Sequence, residues 1–186
     1  MNNPRILFWH RKDLRINDNT ALIKALSLSN AITSTYILDS NYTNDFNAKS
    51  RAWFLGNSLK ELGNNWNRIG SRLIIQKGDP LLIIPKLIKK IDAKFVICNK
   101  LIEPYEINRD LEIENYLKKI NIQFISYWDH LLIEPSKIFT GNNKPYSVYG
   151  PFYKNLKSKI NLLDSYDRDK NIFLLKDIDN KIKDHQ

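Results

Sequence analysis

Five short apolar runs recur along the chain, at residues 6–9, 32–38, 73–75, 95–98 and 122–125, each bounded by polar residues. Between them, apolar residues fall at helical spacing. Leu55, Leu59, Leu62, Trp66 and Ile69 form one stripe, Ile84, Leu87, Ile88 and Ile91 a second, and Ile113, Leu117 and Ile120 a third. Strands buried on both faces, alternating with amphipathic helices over short connections, require a parallel sheet covered on both sides. Right-handed crossovers then leave one fold class: α/β, a doubly wound five-stranded parallel sheet of the flavodoxin/Rossmann type. This unit is expected to occupy residues 1–131.

From about Leu132 the pattern changes. Pro135, Gly141, Pro145, Gly150 and Pro151 punctuate a stretch without clear period, and only a weak amphipathic piece at 152–160 interrupts it. Residues 132–186 are therefore expected to form an irregular linker and charged tail, cut readily by protease. Aromatic residues within it, Phe139, Tyr146, Tyr149, Phe152 and Tyr153, are expected to form an exposed patch.

The net charge of +9 invites comparison with nucleic-acid binders, but the excess is spread along the chain. Residues 1–136 carry +5 and residues 137–186 carry +4, and lysine supplies 21 of the 29 basic residues. A solvated lysine-rich surface is favoured over a phosphate-binding patch. No apolar run approaches the roughly 20 residues needed to span a bilayer, and the N-terminus enters a strand without a signal-peptide region. The only cysteine, Cys98, excludes an internal disulfide and lies in an apolar run as an inert core thiol. A cytoplasmic protein without membrane contact is the expectation.

In such a sheet, ligands bind beyond the carboxyl ends of the strands. His10 and Arg11 follow the first run, Asp39 the second, Gly78-Asp79 the third, and Asn99, Lys100, Glu103, Glu106 and Arg109 the fourth. Arginine presents a planar fork to carbonyl-rich or anionic rings, and carboxylates accept from ring N–H groups. Asp79-Pro80 and Glu103-Pro104 both carry helix-start chemistry, and for Asp79 the capping role is preferred. His10 is read as a hydrogen-bonded strand-end residue rather than a base. Trp9, Trp53, Trp66 and Trp128 are read as core or half-buried. No nucleotide-binding glycine loop, nucleophile elbow or clustered metal ligand is present, so neither a catalytic residue nor a metal site is expected.

The segment from Ile6 to Leu22 reads ILFWHRKDLRINDNTAL. Arg11, Asp13, Leu14, Arg15, Asp18, Asn19, Ala21 and Leu22 fill every fixed position of the opening motif of the DNA photolyase/cryptochrome family, which the chain resembles. The likeness continues through Asp39, Arg51, Phe54-Leu55, Ser58-Leu59 and Leu62, then Gly78-Asp79-Pro80, Glu103-Pro104-Tyr105 and Arg109-Asp110. It ends in Pro145-Tyr146-Ser147-Val148-Tyr149-Gly150-Pro151-Phe152, nearest in texture to cyanobacterial-type photolyases. It spans about Arg5 to Lys157.

The resemblance implies an N-terminal α/β domain that binds a light-harvesting antenna. In the family, FAD, the electron-relay tryptophans and the lesion belong to a separate helical domain, which this chain is expected to lack. The expectation is an antenna half that contacts DNA only indirectly and works with a separate FAD-binding photolyase domain. Matching positions make Arg11, Asp39, Arg51, Ile102, Glu103 and Arg109 implied cofactor-binding residues, and Lys100 and Glu106 join them from their place after the fourth run. An 8-hydroxy-5-deazaflavin is favoured over methenyltetrahydrofolate, although Leu101 stands where deazaflavin binders usually carry Asp. Folate binders use Asn-Glu where this chain has Tyr105-Glu106, a half match. The alternatives are a non-catalytic remnant or interaction domain, and a cryptochrome-like photoreceptor fragment.

Overall fold

The computed structural model describes residues 3–39 and 49–163, with side chains described to residue 160. Five strands, β1 (Ile6–His10), β2 (Ile32–Leu38), β3 (Leu73–Lys77), β4 (Phe95–Asn99) and β5 (Gln123–Tyr127), form one sheet in the order β3-β2-β1-β4-β5. Every pairing is parallel. Of the strand orders available to a doubly wound sheet, this is the Rossmann one, and it reverses between β1 and β4. Each run predicted from the sequence is a strand; the second keeps its bounds, and the other four shift at one or both ends by a residue or two.

Side chains in a strand alternate between the two faces of its sheet, and the sequence of β1 serves both. Ile6 and Phe8 join Ile16, Ala21, Leu22, Leu62, Trp66 and Ile97 in one core, roofed by α1 (Thr20–Leu28) and α2 (Lys49–Arg68). Leu7 and Trp9 join Ile37, Ile84, Leu87, Ile88, Val96, Cys98, Ile113 and Leu117 in the other, roofed by α3 (Pro80–Ile91) and α4 (Pro104–Lys119). All five residues of β1 are buried, as a central strand covered on both faces must be. Trp66 is wholly buried, a contribution of roughly 1.5–3 kcal/mol for a large apolar side chain.

Helix starts follow local chemistry. Asn19 caps α1, its side chain accepting from the Leu22 N–H at 3.1 Å. Asp79 caps α3 in the same way, from Leu81 N–H at 2.9 Å, with Pro80 in the first turn. Glu103 departs from the expected parallel: it stands at the cap position of α4 without making the cap bond. Its carboxylate is drawn instead to Lys12.

The stretch after β5 is more regular than its sequence suggested. A 3₁₀ turn covers Pro135–Lys137 and a 15-residue helix, α5, covers Tyr149–Leu163. The sequence marks Gly150 and Pro151 as breakers, but both fall in the first turn of α5, where proline's missing N–H costs nothing. Asn155 fastens α5 to the preceding loop through the Phe139 carbonyl at 3.2 Å and the Tyr146 hydroxyl at 2.7 Å. Of the expected aromatic patch, Phe139, Tyr149 and Tyr153 are exposed, whereas Tyr146 and Phe152 are half-buried. The charged tail from residue 164 lies outside the described residues. Trp9 and Trp66 are buried and Trp128 half-buried, but Trp53 corrects the reading of all four tryptophans as interior. It is 71% exposed, since it lies on the side of α2 opposite Leu62 and Trp66.

Candidate functional site

The loop after β1 is built by Asp13, a residue with no exposed surface. Its Oδ1 accepts from the Arg11 N–H at 2.9 Å, and its Oδ2 accepts from the side-chain amides of Asn19 at 2.9 Å and Asn99 at 2.8 Å. Asn99, at the end of β4, also accepts from the Ala21 N–H at 3.1 Å. Asp129, beyond β5, accepts from the Thr20 N–H at 2.9 Å and from Arg15 at 2.6 Å. One polar lattice therefore ties the ends of β1, β4 and β5 to the start of α1. Burial alone would raise the Asp13 carboxyl, but bonds from His10, Arg11 and Asn19 outweigh it and hold the group at about 2.

His10 is buried and engaged at both ring nitrogens. The Trp66 indole N–H donates to Nε2 at 2.9 Å, so Nδ1 is the nitrogen left to carry a proton toward the Asp13 carbonyl at 3.0 Å. This agrees with a structural strand-end histidine. Cys98 is an inert thiol, pushed up to about 12 by complete burial.

Above this lattice, the carboxyl ends of β1 and β2 open into a cleft of ≈ 260 Å³. The small-molecule pockets of proteins run from ~300 to 1,000 Å³. Trp9, Ile37, Leu38, Leu55 and Leu101 give its apolar walls, and Arg11, Asp39, Arg51, Glu106 and Arg109 its charged ones. Five of the eight residues implied by sequence are thus brought together. The other three stand outside: Lys100 lies over the Trp128 ring at 5.3 Å, Ile102 is exposed, and Glu103 sits at the rim, paired with Lys12.

Two guanidiniums dominate the cleft. The central carbons of Arg11 and Arg109 lie 5.1 and 4.8 Å from the Trp9 ring centroid, within cation–π range. Asp110 holds both, accepting from Arg11 Nη1 on one oxygen and from Arg109 Nη2 at 3.1 Å on the other. Arg109 also meets Asp39 at 3.5 Å. Arg11 Nε and Nη2 and Arg109 Nε are nonetheless buried without a hydrogen-bond partner among the described residues. At the rim, Glu103 is held at about 2 by hydrogen bonds with Glu106 first and Lys12 second. Burial and the nearby Asp39 carboxylate push the Tyr36 phenol up.

Sequence reasoning did not single out Trp9, Tyr36, Leu55 or Asp110 as site residues. The sequence places Trp9 as core or half-buried and Leu55 in a helical stripe, and a signal is available: Trp9 ends its run and Leu55 begins its stripe, both toward the sheet edge where ligands bind. Tyr36 and Asp110 carry no such mark. Among the described residues no group of three or more His, Cys, Asp or Glu side chains could hold a metal. Nor is any helix there long and apolar enough to cross a membrane.

With this geometry in view, comparison with known proteins is informative. The sequence profile of the DNA photolyase family matches residues 6–169. A deoxyribodipyrimidine photo-lyase of Synechococcus sp. is 39% identical over 155 residues, covering 83% of this chain and 32% of the relative. Among solved structures, a bacterial class III photolyase from Agrobacterium tumefaciens superposes with a TM-score of 0.75 at 29% identity, covering 84% of this chain and 32% of that one. An archaeal photolyase from Sulfolobus tokodaii, solved with two FAD molecules, gives 0.70 at 26% identity, covering 83% and 35%. The chain spans about a third of the length of these relatives.

Proposed function

Since the chain belongs to the DNA photolyase family, we propose that its α/β unit, residues 1–131, holds a light-harvesting chromophore in the cleft at the carboxyl edge of the sheet. The observation that carries this reading is the set of unpaired guanidinium N–H groups on Arg11 and Arg109 beside apolar walls. Each buried donor without a partner costs roughly 1–3 kcal/mol, which a carbonyl-bearing planar ring offsets by accepting from it. Asp39 and Glu106 bring carboxylate acceptors for ring N–H groups, and Trp9 and Leu101 line the cleft with apolar surface.

The chromophore supplies absorption in the near-UV or blue; the chain's own residues orient it and keep water from it. An 8-hydroxy-5-deazaflavin is preferred to methenyltetrahydrofolate, because the folate pattern at Tyr105-Glu106 is only half present. In this reading residues 132–186 lead toward a separate FAD-carrying helical unit, and light-driven repair of pyrimidine dimers requires that unit. The remnant reading draws on Leu101, whose apolar side chain lines the cleft where a carboxylate is usual in deazaflavin binders.

Titrating the purified chain with each compound, followed by absorbance and fluorescence, separates these readings. The expected result is a coloured complex with the deazaflavin. Arg109→Gln should weaken it about tenfold, the loss of one charged hydrogen bond, and Leu101→Asp should tighten it. A chain that stays colourless with both compounds refutes the proposal and leaves the remnant.

A further inference from the structure

An indole touching a photoexcited flavin-type ring readily gives up an electron, and the excitation is lost when that electron returns. Trp9 lines the cleft, so an antenna site there places a quencher against its own chromophore. The surroundings of Trp9 oppose that loss. Arg11 and Arg109 both lie about 5 Å from its ring. Their attraction to the neutral ring becomes repulsion once the indole loses an electron and turns cationic. Asp110 and Asp39 meet the terminal nitrogens of these guanidiniums and fix them in place.

The other buried tryptophan of the domain shows the opposite arrangement. Trp66 has no exposed surface, no guanidinium over its ring among the described residues, and a basic nitrogen, His10 Nε2, 2.9 Å from its N–H. When Trp66 loses an electron, its Nε1 proton can pass to His10, which makes the loss easier. Burial is shared between the two indoles; the charge environment is not.

We propose that Arg11 and Arg109, positioned by Asp110, make Trp9 a poor electron donor, so that the cleft can hold an excited planar chromophore against an aromatic wall without quenching it. This rests on the chromophore reading above, and one arm of its test does not. In the first arm, the chain loaded with 8-hydroxy-5-deazaflavin is followed by time-resolved fluorescence, with the bound fraction set by absorbance. Removing one of the two cations by Arg109→Gln should shorten the bound lifetime by a factor of about five. Arg109→Lys should retain it, and the double change Arg109→Gln with Trp9→Phe should restore it. An unchanged lifetime in Arg109→Gln, or a much longer one in Trp9→Phe alone, overturns the proposal.

The second arm uses the protein without chromophore. The azide radical takes one electron from an indole and becomes azide, dissolved oxygen traps the resulting indolyl radical, and the oxygenated tryptophans are located by peptide mass mapping. Exposed Trp53 reacts in any case. Between the buried pair, Trp66 should collect the oxidation and Trp9 should be spared, and Arg109→Gln should move a share to Trp9. Oxidation of Trp9 equal to or above that of Trp66 in the unaltered chain refutes the inference, whether or not a chromophore binds.

Discussion

Replacing Asp13 by Asn keeps the size of the side chain and removes only its charge and one acceptor. In the native arrangement Oδ1 faces the Arg11 N–H, and Oδ2 faces the amides of Asn19 and Asn99. An asparagine must turn its own NH₂ toward one of these sides. Facing Arg11 it confronts one donor, and facing the two asparagines it confronts two. Even the cheaper choice leaves a buried N–H unpaired, a cost of roughly 1–3 kcal/mol, and the remaining bonds lose their charge assistance. A destabilisation of about 3 kcal/mol follows, equivalent to a fall in Tm of about 6–12 °C for a chain of this size. Urea unfolding at pH 7, followed by tryptophan fluorescence and circular dichroism, measures it.

Acid supplies a second reading of the same substitution. The carboxyl is held at about 2, below its ordinary 3.8, so between these values the unfolded chain binds the proton and the folded chain does not. Stability therefore rises with pH across that window, is complete above about pH 4, and is lost as the pH falls toward 2. The group's share is about 2 kcal/mol. Asp13→Asn should flatten the acid limb of the stability curve by that amount. Glu103 is also held at about 2, but it faces solvent, where screening leaves little contribution. A variant within 1 kcal/mol of the parent at pH 7, with an unaltered acid limb, would refute the assignment of Asp13 as the hub of the lattice.

Two further outcomes follow from local geometry. Cys98, buried and pushed up to about 12, should resist a thiol reagent at pH 8 in the folded chain and react at once in urea; labelling of the native protein would contradict its place in the core. Asp79→Ala removes the cap bond to Leu81 and should cost about 1 kcal/mol in urea unfolding, whereas Glu103→Ala, lacking such a bond, should cost α4 less.

The sheet was legible because the short unbroken apolar runs and the helical periodicity were both clean: every residue of β1 is buried, its alternate side chains feeding the two cores, and the stripe from Leu59 to Ile69 is buried as spaced. The cap pair shows where local pattern fails. Asp79-Pro80 and Glu103-Pro104 look alike in sequence, yet a lysine 91 residues away claims Glu103. Trp53 fails for a related reason, since aromatic character says nothing about which side of a helix a residue occupies. In the site, Arg11, Asp39, Glu106 and Arg109 were legible from topology, which also took in Lys100 and Glu103 outside the cleft, whereas Arg51 came only from the resemblance. The clamp made by Asp110 was not, because it depends on α4 facing β1 at one particular height.

The pairing of β1 has a consequence for how the chain is assembled. Phe8 lies beside Ser34 on one side and Ile97 on the other. A nascent chain that has emerged from the ribosome through residue 90 can pair β1, β2 and β3 but lacks the strand that covers the second edge of β1. Through that interval a central strand with four apolar residues in a row, Ile6 to Trp9, has an open, unpaired margin, the type of margin on which neighbouring chains add. Arrival of β4 both seals that margin and brings Asn99 to the Asp13 carboxylate. The residue that shapes the cleft is thus satisfied in the same event that ends the exposure, and a pause in synthesis that holds β4 inside the ribosome after β3 has emerged would favour aggregates over folded protein.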